Sequence, residues 1–342
     1  MRSVLLAVLC VLALGGCGSF RADSAKGTIE SPIPEVDGPV AASCPDGFVE
    51  LPESIETALG YSLCVAKYEM KVSLNDGTPV LDGRGTTNLD VALHVPVSRK
   101  EGTPWTRLLY SEALAECASL GNGYSLITNQ QWDLIADDIA SVAENWSNGI
   151  LRSGNSDDVI DVNALSDGWT YAGSANLLAA GDDTNGYEGT GNSAGSAYGA
   201  GGEQNRTHTL SNGQIVWDMA GNAREIVDVD GLGGTLSYTG GAATAYVNLN
   251  SAAMTSFVSG ASSSNAVALN ASIFPLDATW SHESENIGRF YISSGVRAGR
   301  LISRGGNFSA SNSPGIYAGD VDGEAATTRP TSGGFRCVFR PN

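Results

Sequence analysis

The sequence predicts a loop-rich protein that contains both helices and strands. Glycine accounts for 43 of the 342 residues, well above the usual share of about 7%, which predicts many turns and irregular segments. The 6 tryptophans and 11 tyrosines are spread along the chain. They can seed a hydrophobic core, so the composition does not indicate disorder.

Short apolar runs between turn residues predict the strands. Two strands bracketing a turn are expected at 48–51 and 63–70. The chain beyond Asn145 is expected to be largely loop until a strand near 214–218. Further strands are expected near 290–292 and 335–339.

Helical periodicity is clearest at 111–120, where four apolar residues fall on one face and Ser111 can cap the N-terminus. A second helix is expected to start at Thr128 and to run through Ile139.

The N-terminus has the pattern of an export signal. A basic start precedes an apolar run at 4–14, which is too short to span a bilayer as a permanent helix. The residues before Cys17 are Leu-Gly-Gly, which resembles the bacterial lipobox. That resemblance implies cleavage after residue 16 and lipidation of Cys17, and several acyl chains together hold a protein at a membrane.

Three segments follow: a signal peptide at 1–16, a lipidated tether at 17–43 and a domain at 44–342. We therefore expect a lipid-anchored protein of the bacterial cell envelope, in the outer membrane, because Gly18 carries no retention signal for the inner membrane. The formal net charge of −18 repels phosphate backbones, so nucleic acid is excluded as a partner.

Four cysteines remain after the signal peptide and the lipidated Cys17 are set aside. An even number in an exported chain indicates two disulfides, and four cysteines permit three connectivities. The preferred one joins Cys44 to Cys64 locally and Cys117 to Cys337 across the chain.

Five segments, taken in order, resemble the formylglycine-generating enzyme family, also called the sulfatase-modifying-factor domain. One segment carries Gly221-Asn222 with Glu225, where Ile226 stands in place of the signature tryptophan, and the other matched segments are 64–69, 104–132, 304–308 and 334–338. The resemblance implies a compact α+β fold of the C-type-lectin kind. It also supports the Cys117–Cys337 disulfide.

The family's copper-dependent oxidation of a substrate cysteine requires two cysteines just beyond the Arg304-Gly305-Gly306 turn. No cysteine lies between Cys117 and Cys337, and soft Cu(I) needs thiolate ligands. We therefore expect no copper, no formylglycine-generating activity and no catalytic residues.

Calcium is a plausible cofactor by the same resemblance, since the family binds it through loop amides, carboxylates and carbonyls. The implied ligands of a first site are Asn176, Leu177, Asn185 and Tyr187. Those of a second site are Asn222 and Glu225.

The expected function is a non-catalytic binding module for an extracellular or periplasmic protein or glycan. Its expected binding face is the irregular stretch 307–332, whose polar and aromatic side chains suit adaptable recognition. The candidate contacts are Asn307, Phe308, Asn312, Tyr317, Asp320 and Asp322. Two alternatives are an enzyme with a relocated site and a diversified lectin-fold adhesin that varies over 307–332.

Overall fold

The computed structural model describes residues 43–83, 93–156, 177–190, 193, 204–265, 274–308, 315–321 and 326–341. Helices and strands are interspersed along these residues and joined by long irregular segments. The protein therefore has an α+β fold rich in loops, as the sequence predicted. The described residues belong to one unit that extends from Ala41 to Asn342.

The helices of the described part, numbered α1 to α5 along the chain, are Glu53–Leu59, Tyr110–Ser119, Asn129–Ser141, Ala252–Gly260 and His282–Glu285. Helix α3 begins where predicted, because Thr128 and Gln131 form a reciprocal capping box: the Gln131 N–H donates to Thr128 Oγ1 and the Thr128 N–H to Gln131 Oε1.

Ser111 was predicted to cap the N-terminus of helix α2, but the helix already begins at Tyr110. Glu112 makes the capping contact instead, by accepting a hydrogen bond from the Leu109 N–H at 2.8 Å. The segment between the first two strands was expected to be a turn, but it contains helix α1. It buries Ile55 against the core.

The strands of the described part, numbered β1 to β20 along the chain, are Phe48–Glu50, Cys64–Ala66, Met70–Leu74, Pro79–Val80, His94–Ser98, Tyr124–Leu126, Trp146–Ser147, Ile150–Leu151, Thr207–Thr209, Ile215–Trp217, Arg224–Val227, Leu236–Thr239, Ala245–Val247, Ser262–Ser263, Phe290–Ile292, Val296–Arg300, Ile302–Arg304, Gly319–Asp320, Gly333–Phe335 and Cys337–Phe339.

A four-stranded sheet, in the order β1-β2-β20-β6, brings the start and the end of the domain together. Both predicted disulfides are confirmed beside it. Cys44 is bonded to Cys64 in β2, and Cys117 in α2 is bonded to Cys337 in β20.

A six-stranded mixed sheet, in the order β13-β15-β18-β17-β11-β19, forms the centre of the C-terminal half. The predicted strand at 335–339 is in fact divided, since β19 belongs to this sheet and β20 to the four-stranded one. The division falls at Arg336, whose side chain is wholly buried and contacts polar groups from both halves of the fold.

Tryptophan supplies much of the core, as the composition indicated: Trp105, Trp132 and Trp217 are completely buried. Within the ranges given above, none of the helices has the length and apolar character needed to cross a membrane.

Candidate functional site

The interior contains a cluster of ionisable side chains that are almost completely shielded from solvent. We call it the buried charge cluster. It combines three acids with three bases, so its formal charges balance, and its members are Glu69, Lys71, Arg206, Asp218, Glu225 and Arg336.

Arg336 is the most highly connected member of this cluster. Its guanidinium donates to both carboxylate oxygens of Glu225, at 2.9 and 2.5 Å. It also donates to the carbonyls of Ala66 and Trp217, at 2.7 and 2.8 Å. One side chain therefore joins β2, β10, β11 and the β19–β20 junction.

Glu69 holds the loop that precedes β11. It accepts hydrogen bonds from the Asn222 amide at 2.5 Å and from the Ala223 N–H at 2.8 Å. Gly221 in this loop has a φ of +80°, and a Cβ there would lie 2.4 Å from the Asn155 carbonyl oxygen. The loop therefore requires glycine at this position.

Burial raises the pKa of Glu69 to about 8 and lowers the pKa of Lys71 to about 8, because both lose their hydration. The two side chains lie 3.8 Å apart, which opposes both shifts. These are perturbed groups in a sealed interior, where no substrate can reach them in this conformation.

The predicted calcium ligands are distributed as follows. Asn176 lies outside the described residues, and Leu177 packs in a small apolar cluster with Ala223 and Phe308. Asn185 is exposed, and the Tyr187 carbonyl accepts hydrogen bonds from the main chain and hydroxyl of Thr190.

At the second predicted calcium site the oxygen atoms have protein partners. Asn222 Oδ1 accepts from the Leu178 N–H at 2.8 Å and from the Asn155 amide at 3.2 Å. Both oxygens of Glu225 contact Arg336. Calcium binding here would require these groups to exchange partners, and the calcium site stays a prediction.

A second set of buried contacts fixes the segment 315–321 against helix α3. Trp132 Nε1 donates to the Ile316 carbonyl at 2.8 Å, and the Tyr317 hydroxyl donates to Asp137 at 2.6 Å. Arg304 contributes from β17, where it contacts Asp133 at 3.0 Å. The segment that carries β18 is thus held by helix α3 on one side and by its pairing with β17 on the other.

The turn after β17 also follows from its sequence. Gly305 has a φ of +84°, and a Cβ there would lie 2.9 Å from the Met219 carbonyl oxygen. Segments that carry the family resemblance contact one another here and in the buried charge cluster, through Arg304, Glu69 and Arg336.

The register of the six-stranded sheet places one residue from each strand in a single row. Running from β13 to β19, the row is Tyr246, Tyr291, Asp320, Ser303, Ile226 and Phe335. Neighbours in a row point to the same face of a sheet. Ile226 and Phe335 are covered by the core, whereas Tyr246 is 50% exposed.

A small cleft, with a cavity volume of about 40 Å³, lies where this face passes from covered to open. We call it the sheet-face cleft. Its polar and aromatic lining comes from four strands, the residue before β15 and the turn after β17, and consists of Arg224, Tyr246, Arg289, Ser303, Asn307 and Asp320.

Charge and hydrogen-bonding capacity are concentrated in this cleft. Arg224 contacts Asp320 at 2.8 Å, and both side chains retain 20% exposure. Arg289 forms an ion pair with Glu283 and contacts the Asn248 side chain at 3.3 Å. Ser303 is 1% exposed, and its hydroxyl has no hydrogen-bond partner among the described residues.

The structure brings together two of the six predicted binding residues. Asn307 and Asp320 line the sheet-face cleft. Phe308 and Tyr317 are buried instead, Phe308 against Leu177 and Tyr317 against helix α3. Asn312 and Asp322 lie outside the described residues.

Sequence reasoning missed four members of the cleft: Arg224, Tyr246, Arg289 and Ser303. They are far apart along the chain, and strand register brings Tyr246 and Ser303 to one face. A detectable signal existed for the arginines, since basic residues are scarce in so acidic a chain.

Comparison with known proteins assigns no relative: neither a family model nor a curated protein matches this chain.

Proposed function

We propose that the protein is a non-catalytic binding module whose ligand site is the sheet-face cleft. The observation that carries this proposal is the convergence, on one half-open sheet face, of polar and aromatic side chains from four strands. Most of this lining is held by the hydrogen bonds between strands, so its geometry is preorganised for recognition.

An enzyme with a relocated site is the alternative from another class. A perturbed acid or base in a deep pocket would favour it. Burial does perturb Glu69, and it lowers the pKa of His208 to about 4. Both groups are completely buried and neither lines the cleft, which supports binding over catalysis.

The scaffold we propose is the C-type-lectin-like fold of the formylglycine-generating enzyme family. The proposal is supported by mutual contacts among the matched segments, such as Arg336 with Glu225 and Arg304 with Asn129. A diversified adhesin is a special case of the same binding function. Sequencing of the gene's neighbourhood tests it, since a near-copy of the segment 307–332 would be expected nearby.

Membrane attachment through Cys17 completes the proposal, with the domain displayed at the bacterial cell envelope. The lipobox supports it. Labelled fatty acid should be incorporated into the wild-type protein and not into Cys17→Ser. Equal labelling of the two proteins would contradict lipidation at Cys17. Fractionation of the cells would then show in which compartment the protein resides.

The binding function is tested with the labelled protein on glycan and protein arrays. Tyr246→Ala and Asp320→Asn should each weaken any binding by about tenfold or more, because both residues contribute directly to the lining. Val296→Ala is the matched control, as Val296 is 81% exposed and lies outside the cleft. Equal losses in the control, or binding that survives both cleft variants, would refute the assignment.

A further inference from the structure

We infer that Lys71 and Asn222 become joined by an amide bond between their side chains, with Glu69 as the proton relay. The bond is a self-modification, in which the buried amine displaces ammonia from the buried carboxamide. This inference goes beyond the proposed binding function, because it concerns the buried charge cluster and does not involve the sheet-face cleft. Four features carry it: the unsatisfied amine, the shared carboxylate, the polarised carboxamide and the exclusion of water.

The Lys71 amine is poorly satisfied for a buried charge. The side chain lies in β3 and is completely buried. Within the part of the chain that the structure describes, its Nζ has no hydrogen-bond partner. Its ion pair with Glu69 Oε2 spans 3.8 Å, which is longer than a hydrogen bond. Buried ammonium groups are normally hydrogen-bonded as well as paired, so a purely ionic role does not account for this side chain.

Burial also favours the reactive form of this amine. An uncharged amine is a nucleophile, whereas an ammonium is not. Loss of hydration lowers the pKa of Lys71 to about 8, so a substantial fraction of the amine is uncharged near neutral pH. The lysine stem is flexible, and rotation about its terminal bonds lets Nζ approach the neighbouring carboxamide.

One oxygen of Glu69 lies beside both reacting nitrogens. Glu69 Oε2 faces Lys71 Nζ at 3.8 Å and accepts a hydrogen bond from Asn222 Nδ2 at 2.5 Å. The other oxygen, Oε1, accepts from the Ala223 N–H at 2.8 Å, which fixes the carboxylate. Glu69 is therefore positioned to take a proton from the amine and to deliver one to the departing nitrogen.

The carboxamide of Asn222 is held with its carbonyl polarised. Its Oδ1 accepts from the Leu178 N–H at 2.8 Å and from the Asn155 amide at 3.2 Å. Two donors on this oxygen stabilise the negative charge that develops there when an amine adds to the carbon. Asn222 is completely buried, as are Glu69 and Lys71, so bulk water does not compete with the amine.

The reaction conserves atoms and charge. The Lys71 ammonium passes one proton to the Glu69 carboxylate, and the free amine forms a bond from Nζ to Asn222 Cγ. As the Cγ–Nδ2 bond breaks, Nδ2 takes a proton by way of Glu69 and leaves as ammonia. Nζ keeps one hydrogen as an amide N–H, and one proton stays on Glu69. One positive and one negative charge are lost together, so the formal charges of the cluster stay balanced.

The bond joins two parts of the fold that are far apart along the chain, strand β3 and the loop before β11. A covalent tie restricts the unfolded chain in the same way as a disulfide does. Unlike the disulfides of this domain, an amide bond resists reducing agents.

Peptide mapping of the full chain, purified in detergent, denatured and reduced, tests the bond directly. Trypsin does not cleave after a lysine whose amine is acylated. The expected product is residues 68–84 joined to residues 207–224, lighter than the two peptides together by one ammonia. Fragmentation of this product should locate the bond at Lys71 and Asn222. Without the bond, trypsin cleaves after Lys71 and releases residues 72–84.

The linked pair should be the main product of the wild-type chain and of Lys67→Arg. Lys67 is the matched control, because it lies in the same segment and its ammonium contacts Asp183 instead. The linked pair should be absent from Lys71→Met. In freshly purified Glu69→Gln it should fall by about tenfold or more, since the proton relay is lost. Cooperative melting shows that each variant is folded.

The wild-type map decides the inference even if a variant does not fold. A map that contains only the free peptide 72–84 would overturn it. A linked pair that joins Lys71 to Asp218, with loss of water, would show the wrong acceptor and overturn it as well. Loss of ammonia without a linked pair indicates ring closure of Asn222 on its own backbone, which also contradicts the bond. The proposed binding function is tested separately, by ligand binding at the sheet-face cleft.

Discussion

Removal of Arg336 from its buried ion pair with Glu225 is expected to be among the most destabilising single substitutions in the domain. Both side chains are completely shielded from solvent. We predict that Arg336→Met will lower the free energy of unfolding at pH 8 by about 5 kcal/mol, because it leaves Glu225 as a buried anion beside other acids.

The magnitude follows from the contacts that are lost. Removal of one partner from a buried ion pair costs about 3–5 kcal/mol. The same substitution leaves the carbonyls of Ala66 and Trp217 without their guanidinium donor, at about 1 kcal/mol or more each. Relaxation of the surrounding side chains offsets part of this sum, which gives the value of about 5 kcal/mol.

The pH dependence provides a second readout. Burial raises the pKa of Glu225 above its ordinary value, and Arg336 opposes the shift. Without Arg336 the folded protein should hold a proton at Glu225 that the unfolded chain releases above about pH 4.3. Stability of the variant should therefore rise as the pH falls from 8 towards 5.

The assay is urea unfolding followed by tryptophan fluorescence, at pH 8 and pH 5, with both disulfides intact. Arg340→Met is the matched control, because Arg340 is exposed and its side chain contacts only the face of the Tyr61 ring among the contacts described. The reasoning is refuted if Arg336→Met loses no more stability than this control, or if its loss is equal at both pH values.

Three other predictions concern the disulfide, calcium and copper. Replacement of Cys117 and Cys337 by serine should lower the free energy of unfolding, measured in urea, by about 5 kcal/mol. The chain-entropy model gives this value because the disulfide closes a loop of 220 residues. A loss below about 1 kcal/mol would contradict the prediction. Calcium should raise the melting temperature if Asn222 and Glu225 take it as a ligand, and identical curves with calcium and with a chelator would count against the site. The cysteine of a sulfatase-type peptide should have an unchanged mass after incubation with the protein, with or without copper, since the stretch after Gly306 has no thiol before Cys337. Any copper-dependent change in the mass of that cysteine would contradict this prediction.

Local sequence patterns predicted local structure well. Helix α3 was predicted to start at Thr128, and the structure shows why it starts there: the capping box formed by Thr128 and Gln131 acts within a few residues. The strand at 290–292 and the disulfide pairs were also predicted correctly. Helix α1 was missed, because its seven residues carry one buried side chain, Ile55, which is too weak a periodic signal.

The candidate site was predicted only in part. Asn307 and Asp320 were identified because they lie in the segment next to a recognisable motif. Arg224 and Ser303 were not, since nothing in their immediate neighbours distinguishes a side chain on the open face from one facing the core.

The sequence by itself determined the start of helix α3 at Thr128, an abundance of glycine for turns and an even set of cysteines for two disulfides. Only the tertiary structure decided that Arg336 divides one apolar run between two sheets. It also decided that Tyr246, Ser303 and Asp320 share a row. The physical reason is that a one-residue shift in strand register moves every side chain to the opposite face, and register here is set by pairing between strands far apart in the chain.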